Sequence, residues 1–295
     1  GDVQGYEEAM QGAAALVPGL SFEKGLPVPE ENRRAAFAKD RNLMVLYFLN
    51  GWYDRSLEHG EALIQANPYD RFALYHQALC RVAQRSYESA ARSFEALLEG
   101  DPRLLAGQMG LGRVSLDNGD GQKAVEAFQW AVVIDPRYAP ARLGLGDALA
   151  QIDRKEEAVK AYEEAARIDP KSVAPHLKLA RLLAEQPASL AAAEQSAETA
   201  ASLAPEDPYV LDAHGWVHVL RGRCDDGVLL LSRAAERLGT DPVVLFHLGF
   251  ARYRSGAVQE AEQVLRKCLA LSKEFPGAAR AEAILREVSS GRTAP

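Results

Sequence analysis

The sequence predicts an all-α protein built as a solenoid of helix hairpins, and three observations favour this fold class. First, residues 105–172 contain two nearly equivalent copies of a 34-residue pattern, in which Leu111-Gly112 recurs as Leu145-Gly146. Second, the apolar residues of each copy recur at helical spacing in two runs separated by a turn. Third, prolines keep the same spacing at Pro68, Pro102, Pro136 and Pro170. Such a fixed period is typical of an array in which each hairpin buries its apolar face against a neighbour.

The second helix of each copy carries an alanine, an aromatic residue and another alanine, and Asp-Pro follows it. These residues are Ala124, Phe128, Ala131 and Asp135-Pro136 in one copy, and Ala158, Tyr162, Ala165 and Asp169-Pro170 in the other. Together with Leu-Gly in the first helix, this pattern resembles the tetratricopeptide repeat family. The resemblance implies a right-handed superhelical solenoid whose first helices line a concave groove. It also implies a non-catalytic function in protein binding.

The repeat array is expected to span residues 35–275 and to contain about seven hairpins. The expected repeats are 37–70, 71–104, 105–138, 139–172, 173–207, 208–241 and 242–275. The fifth is one residue longer, since Pro187 and Ser189 extend its turn. Its second helix consists mostly of alanine, which buries little area, so we expect the softest packing there. Residues 276–295 are expected to form a capping helix with a polar outer face, followed by a short tail.

Residues 1–34 are predicted to be an irregular N-terminal segment with one helix. That helix would begin near Gly5-Tyr6 and stop at Pro18-Gly19, as the remnant of an incomplete repeat. Pro27 and Pro29 then predict an extended connector, because proline disrupts a helix interior. The chain begins with Gly1 rather than Met, which indicates removal of a preceding segment, so a missing signal sequence says nothing about localisation.

Composition excludes some classes of function. The 295 residues carry a net charge of −7 with both signs interspersed, which argues against nucleic-acid binding. No apolar run is long enough to predict a transmembrane segment. Cys80, Cys224 and Cys268 follow no disulfide or zinc spacing and are expected to be buried thiols. They favour a reducing, cytoplasmic compartment, while a periplasmic or lipid-anchored location stays open.

The resemblance places a ligand groove on the second, fifth, ninth and twelfth residues of each repeat. The candidate partner-binding residues at these positions are Arg41, Phe48, Phe72, Tyr75, Met109, Arg113, Asp147, Arg181, Tyr209, Asp212, Trp216, Phe246, Phe250 and Tyr253. Tryptophan, tyrosine and arginine are enriched at binding hot spots. Arg113 and Arg181 would select an acidic feature of the ligand, and Asp147 a basic one. The alternative is that the aromatic members pack against neighbouring helices.

Other chemistries find little support in the sequence. One subclass of the family grips C-terminal carboxylates with lysine and asparagine, but the matching positions here include Val45, His76 and Gly110. His214 and His218 are spaced like a metal-binding pair, yet no third ligand follows, so both are expected to be structural. No phosphate-binding loop or nucleophile elbow occurs either. We therefore expect no enzyme activity, no metal and no cofactor.

The sequence thus predicts a scaffold or adaptor that binds a peptide or partner protein in the groove. Three alternatives stay open. The first is an envelope-associated assembly factor for a secretion or pilus machine. The second is the repeat region of a larger enzyme, or an array that binds a small molecule or polysaccharide. The third is a homo-oligomer formed through the exposed edge of an incomplete first repeat.

Overall fold

The computed structural model describes residues 31–290, with side chains from Lys39 onward. Within that range the chain forms fifteen α-helices and no strand, in agreement with the predicted fold class. The predicted helix within residues 1–34 and the tail after 290 lie outside the described residues. The chain divides into two compact units, unit 1 up to Ile168 and unit 2 from Asp169, and each is described by itself. None of the described helices combines the length and apolar character needed to cross a bilayer.

Unit 1 consists of four helix hairpins. Its helices are α1 (Glu31–Leu49), α2 (Tyr53–Ala66), α3 (Arg71–Ala83), α4 (Tyr87–Gly100), α5 (Leu105–Asp117), α6 (Gly121–Ile134), α7 (Ala139–Gln151) and α8 (Lys155–Ile168). Each helix packs against the next one along the chain. Helix α1 begins at Glu31, whereas the sequence predicted an irregular segment up to residue 34. The helix can begin this early because no proline or glycine occurs between Pro29 and Gly51.

Unit 2 consists of three hairpins and a single terminal helix. Its helices are α9 (Val173–Ala184), α10 (Leu190–Leu203), α11 (Pro208–Leu220), α12 (Cys224–Arg237), α13 (Pro242–Arg254), α14 (Val258–Leu271) and α15 (Ala278–Ser289). A short 3-10 turn, Pro187–Ser189, lies between α9 and α10. The first helices α9, α11, α13 and α15 also contact one another in succession, so they share one face of the unit. We call this surface the first-helix face.

The glycines of the repeat motif allow close packing of the two helices within a hairpin. A Cβ atom added at Gly112 in α5 would lie 2.8 Å from the ring of Phe128 in α6. The equivalent atom at Gly146 in α7 would lie 2.4 Å from the ring of Tyr162 in α8. The aromatic residue of each second helix therefore occupies the space that a side chain on the first helix would take.

The turns inside the hairpins place one residue in the left-handed backbone region. Gly51, Gly119, Gly222 and Gly256 occupy this position in four hairpins. Arg85 takes it with φ of 57° in the second hairpin, and Asp153 with φ of 60° in the fourth. Glycine adopts this conformation without steric cost, which explains its recurrence at the 34-residue spacing.

The three cysteines are unpaired, and their environments differ. Cys80 and Cys268 are buried, and burial raises the pKa of each thiol to about 11. Cys224 is only half-buried. The thiols of Cys80 and Cys268 are therefore poor nucleophiles at neutral pH, since the thiolate is the reactive form.

Candidate binding face of unit 2

The first-helix face of unit 2 brings together side chains from four helices. Arg181 lies on α9, Asp212 and Trp216 on α11, Phe250 on α13, and Arg280 on α15. The contacts between these helices are short, direct and confined to one unit. This face therefore brings together four of the predicted partner-binding residues and Arg280.

A buried carboxylate organises the polar part of this face. Asp212 is 2% exposed, and its Oδ1 accepts a hydrogen bond of 2.7 Å from His247 Nδ1. Its Oδ2 accepts from Arg181 Nη2 at 3.5 Å. A buried charge is costly unless it is paired and hydrogen-bonded, so these two partners from α9 and α13 compensate for the desolvation of Asp212.

An aromatic group adjoins the carboxylate. The His247 ring stacks on Trp216, with 4.2 Å between ring centroids and an interplanar angle of 16°. Trp216 also meets the Phe250 ring edge-on at 5.4 Å and the Phe246 ring at 5.9 Å. Phe246 is buried, whereas Trp216 and Phe250 are half-buried. We call Asp212, Trp216, Phe246, His247 and Phe250 the Trp216 cluster.

Gly277 positions the terminal helix against this cluster. It adopts a left-handed conformation with φ of 102° immediately before α15. A Cβ atom here would come within 2.5 Å of the Phe246 ring, so a residue without a side chain is required. Helix α15 can therefore start directly over Phe246, and it presents Arg280 to Phe250.

Two exposed arginines flank the aromatic group. The Arg181 guanidinium lies 5.7 Å from the centre of the Tyr209 ring, and its side chain is 44% exposed. The Arg280 guanidinium lies 6.0 Å from the centre of the Phe250 ring and is also exposed. Guanidinium groups bind carboxylates in a bidentate manner. This face can therefore bury an apolar side chain while pairing with an acidic group beside it.

Tyr253, the last predicted residue of unit 2, is part of the packing between α13 and α15. It is 1% exposed, and its hydroxyl donates a hydrogen bond of 2.8 Å to Glu287 Oε2. This hydrogen bond and the desolvation of the ring raise the pKa of Tyr253. In this structure its side chain joins two helices rather than facing solvent.

The aromatic candidates of unit 1 and Met109 are buried. Phe48, Phe72, Tyr75 and Met109 are 1%, 6%, 7% and 5% exposed. Arg41 Nη2 donates to Asp70 Oδ2 at 2.6 Å and lies over the Phe72 ring. These side chains pack against neighbouring helices, which is the alternative that the sequence left open. A ligand-binding function for them stays a prediction.

The charged candidates of unit 1 have partners on their own hairpins. Arg113 is exposed and pairs with Asp117 one turn along α5, at 3.1 Å. Asp147 accepts a hydrogen bond of 2.7 Å from the Tyr162 hydroxyl, and this bond connects the two helices of the fourth hairpin. Desolvation, assisted by the Asp147 charge, raises the pKa of Tyr162. Asp147 thus contributes to packing, whereas Arg113 remains accessible.

The rings of His214 and His218 are in contact within α11, at an interplanar angle of 32°. Their ring centroids are 4.5 Å apart, and both side chains are half-buried. Burial, and secondly the neighbouring His218, lower the pKa of His214. Among the described residues no group of three or more potential metal ligands occurs.

The partner-binding residues predicted from the sequence do not include Arg280 and His247, although both belong to the first-helix face of unit 2. The repeat spacing could have identified Arg280, because Arg280 lies 34 residues after Phe246 and Glu287 lies 34 residues after Tyr253. The capping helix α15 therefore continues the 34-residue spacing of the first helices. The hydrogen bond between His247 and Asp212 spans 35 residues, so only the structure shows it.

Comparison with known proteins supports the repeat pattern over part of the chain. The sequence profile of the tetratricopeptide repeat matches residues 75–139 and 109–173, which include the two most similar copies. The helix hairpins described above have the architecture of that repeat. Residues 75–173 therefore match the tetratricopeptide repeat, as the sequence pattern indicates. None of the curated protein sequences matches it.

Solved structures share the fold at low sequence identity. A tetratricopeptide repeat protein from Parabacteroides merdae ATCC 43184 aligns with a TM-score of 0.69 and 13% identity, over 85% of this chain and 98% of that one. Pseudomonas aeruginosa pilF aligns with a TM-score of 0.60 and 14% identity, over 72% and 97%. MamA from Desulfovibrio magneticus RS-1, from residue 41 to its end, gives 0.53 and 19%, over 57% and 94%. At these identities the likeness shows the fold alone.

Proposed function

We propose that this chain is a non-catalytic scaffold or adaptor that binds a peptide, or an extended segment of a partner protein, on the first-helix face of unit 2. Tetratricopeptide repeat proteins generally act as interaction scaffolds. One observation supports the assignment of the binding site to this face. Trp216 and Phe250 form a half-exposed aromatic surface that is supported from below by buried residues and flanked by Arg181 and Arg280. Rigid aromatic anchors beside arginines are typical of binding hot spots.

The chemistry of the face indicates what the ligand carries. An aromatic or branched aliphatic side chain would cover the exposed parts of Trp216 and Phe250. A carboxylate on the same segment would pair with Arg280 or Arg181, which are accessible at opposite sides of the aromatic surface. We therefore propose a short acidic and apolar sequence as the recognised element.

The Asp212–His247 pair supports binding better than catalysis. A histidine held by a carboxylate can act as a general base when it also reaches a nucleophile or a substrate proton. Here the His247 ring is stacked flat on Trp216, and none of its hydrogen bonds to described residues involves a serine or cysteine. The pair fixes the orientation of Trp216, so we propose a positioning function for it.

A peptide-display selection on the full chain tests this proposal. We expect random peptide libraries to yield ligands enriched in an aromatic or aliphatic residue next to aspartate or glutamate. The variant Phe250→Ala/Arg280→Glu should bind the selected peptides at least about tenfold more weakly, which corresponds to about 1.4 kcal/mol.

The matched control makes the same types of change on second helices. Leu229 on α12 is 65% exposed and Arg266 on α14 is 61% exposed, so Leu229→Ala/Arg266→Glu should leave binding unchanged. Circular dichroism and urea unfolding would establish that both variants are folded. Equal weakening by the two variants, or no enrichment of acidic and apolar peptides, would contradict the proposal.

A further inference from the structure

Unit 1 contains a cleft on the side of its second helices. It lies between α2 and α4, with the loop after α2 at one end and α3 beneath, and its volume is about 430 Å³. Ile64 and Leu74 provide apolar surface, and Glu61, Glu99 and Tyr69 surround the opening. The cleft is separate from the residues of the first-helix face described above.

Gln77 provides a buried polar group at the base of this cleft. Its side chain is 7% exposed, and its Oε1 accepts a hydrogen bond of 3.0 Å from Ser93 Oγ. Ser93 Oγ in turn accepts from Arg81 Nη1 at 2.6 Å, which fixes the orientation of the amide. The amide nitrogen donates to no described residue, although Gln77 lines the cleft. The amide nitrogen opens onto the cleft, so it is available to donate to an acceptor on a ligand there.

The walls of the cleft carry two carboxylates that form no ion pair with the described residues. Glu61 on α2 and Glu99 on α4 are both exposed, and neither forms an ion pair with a described residue. Arg81 interacts with Glu61 electrostatically, but its guanidinium donates to Ser93 and to the Ser89 carbonyl instead. Two carboxylates facing one cleft attract a cation.

Tyr69 adds an aromatic surface at the opening. Its side chain is 61% exposed, and its ring lies close to Gly100, since a Cβ atom there would be 3.7 Å from Tyr69 Cδ1. Glu99, which precedes Gly100, lines the same cleft as Tyr69. A planar guanidinium can stack on an aromatic ring while it pairs with an adjacent carboxylate, which an ammonium group does less well.

We propose that this cleft binds an arginine side chain of a basic, extended peptide segment from a partner protein. The guanidinium lies between Glu61 and Glu99 and stacks on Tyr69. The carbonyl oxygen of the same peptide accepts a hydrogen bond from the Gln77 amide nitrogen. The site is new with respect to the first-helix face and does not depend on it.

The charge of the cleft argues against an occupant from the N-terminal part of this chain. Residues 1–30 contain five acidic residues and one basic one: Asp2, Glu7, Glu8, Glu23, Glu30 and Lys24. Such a segment would add like charge to the cleft walls. A separate basic segment is complementary to the cleft instead.

Two peptides that differ only in charge test the proposal on the full chain. The probes are acetyl-Gly-Arg-Gly-amide and acetyl-Gly-citrulline-Gly-amide, because citrulline has nearly the shape of arginine without its charge. Backbone amide resonances report the position of binding. We expect the arginine peptide to shift resonances of α2, of residues 67–70 and of α4 in a saturable manner. The citrulline peptide should bind there at least about fivefold more weakly.

Two double variants distinguish binding in the cleft from a nonspecific effect of the negative charge of the protein. Glu61→Gln/Glu99→Gln should raise the dissociation constant of the arginine peptide by about three- to tenfold, as expected for two ion pairs. Glu58→Gln/Glu88→Gln removes the same charge from exposed positions of the same helices outside the cleft and should change nothing. Equal binding of both peptides, shifts elsewhere, equal effects of the two variants, or no saturable shifts would each overturn the proposal.

Discussion

His76 is buried in α3, where its ring lies 4.1 Å from the ring of Phe72 and 6.4 Å from that of Phe48. Its Nδ1 donates to the Phe72 carbonyl, while its Nε2 is buried and has no hydrogen-bond partner. Burial lowers the pKa of His76 to about 4, although the Phe72 carbonyl and Asp70 oppose the shift. The neutral imidazole is therefore the form that the folded protein accommodates.

This burial predicts a pH dependence of stability. The unfolded chain takes up a proton at His76 near pH 6.5, whereas the folded chain does so only near pH 4. The free energy of unfolding should therefore fall as the pH drops from about 6.5 to about 4, by at most about 3 kcal/mol from this group. Above pH 6.5 His76 contributes no pH dependence.

Urea unfolding of wild type and His76→Asn at several pH values measures this effect. Asparagine keeps a donor near the Phe72 carbonyl but does not titrate, so the variant should be less stable at neutral pH and less sensitive to acid. The difference between the two proteins should shrink through this window. A constant difference from pH 7 to pH 4 would show that His76 is not protected from protons.

The solvent exposure of individual side chains was the property that the sequence predicted least well. The repeat positions gave the same expectation for Phe250 and Tyr253, yet Phe250 is half-exposed and Tyr253 is buried through its bond to Glu287. Position on a helix determines the direction of a side chain, but the next helix determines how much of it is covered. That second factor depends on neighbours about 34 residues away.

At the scale of helices, the close approach of α5 and α6 depends on the missing side chain at Gly112. Alanine is favoured over glycine in a helix by about 1 kcal/mol. However, its Cβ atom would come within 2.8 Å of the Phe128 ring, and a clash in a packed core costs about 1–3 kcal/mol. The balance between these two effects should depend on the residue at position 128.

A double-mutant cycle measures this dependence. Gly112→Ala should be neutral or destabilising in wild type, and stabilising by about 1 kcal/mol in a Phe128→Leu background. The coupling energy from urea unfolding should therefore be about 1–3 kcal/mol. Equal effects of Gly112→Ala in both backgrounds would mean that the ring does not restrict this position.

The hairpins themselves could be predicted from sequence because their signals are local. Gly112 and Phe128, and likewise Gly146 and Tyr162, lie sixteen residues apart in consecutive copies, so the packing rule is visible as a recurring pair. The turn at Gly119 could also be predicted from the sequence, because glycine readily adopts the left-handed conformation. Arg85 occupies the equivalent turn without being glycine, and only the structure shows its positive φ.

For the whole molecule, the division into two units was not predicted. The repeat spacing is uninterrupted across residues 136–170, and nothing in the motif marks a boundary at Ile168. Contacts between side chains far apart in sequence, such as those that join Arg181, Asp212 and His247, decide which residues form a common surface. The spacing could place these residues on first helices but could not show that they meet.

The most direct test of the central claim is the fluorescence of Trp216 during ligand binding. The chain has three tryptophans, and Trp52 and Trp130 are 54% and 53% exposed, so Trp52→Phe/Trp130→Phe should retain the fold and leave Trp216 as the sole reporter. Titration with a selected acidic and apolar peptide should shift the Trp216 emission to shorter wavelength. The shift should saturate together with the anisotropy of the labelled peptide. Saturating anisotropy with unchanged Trp216 emission would contradict the assignment of the first-helix face of unit 2 as the binding surface.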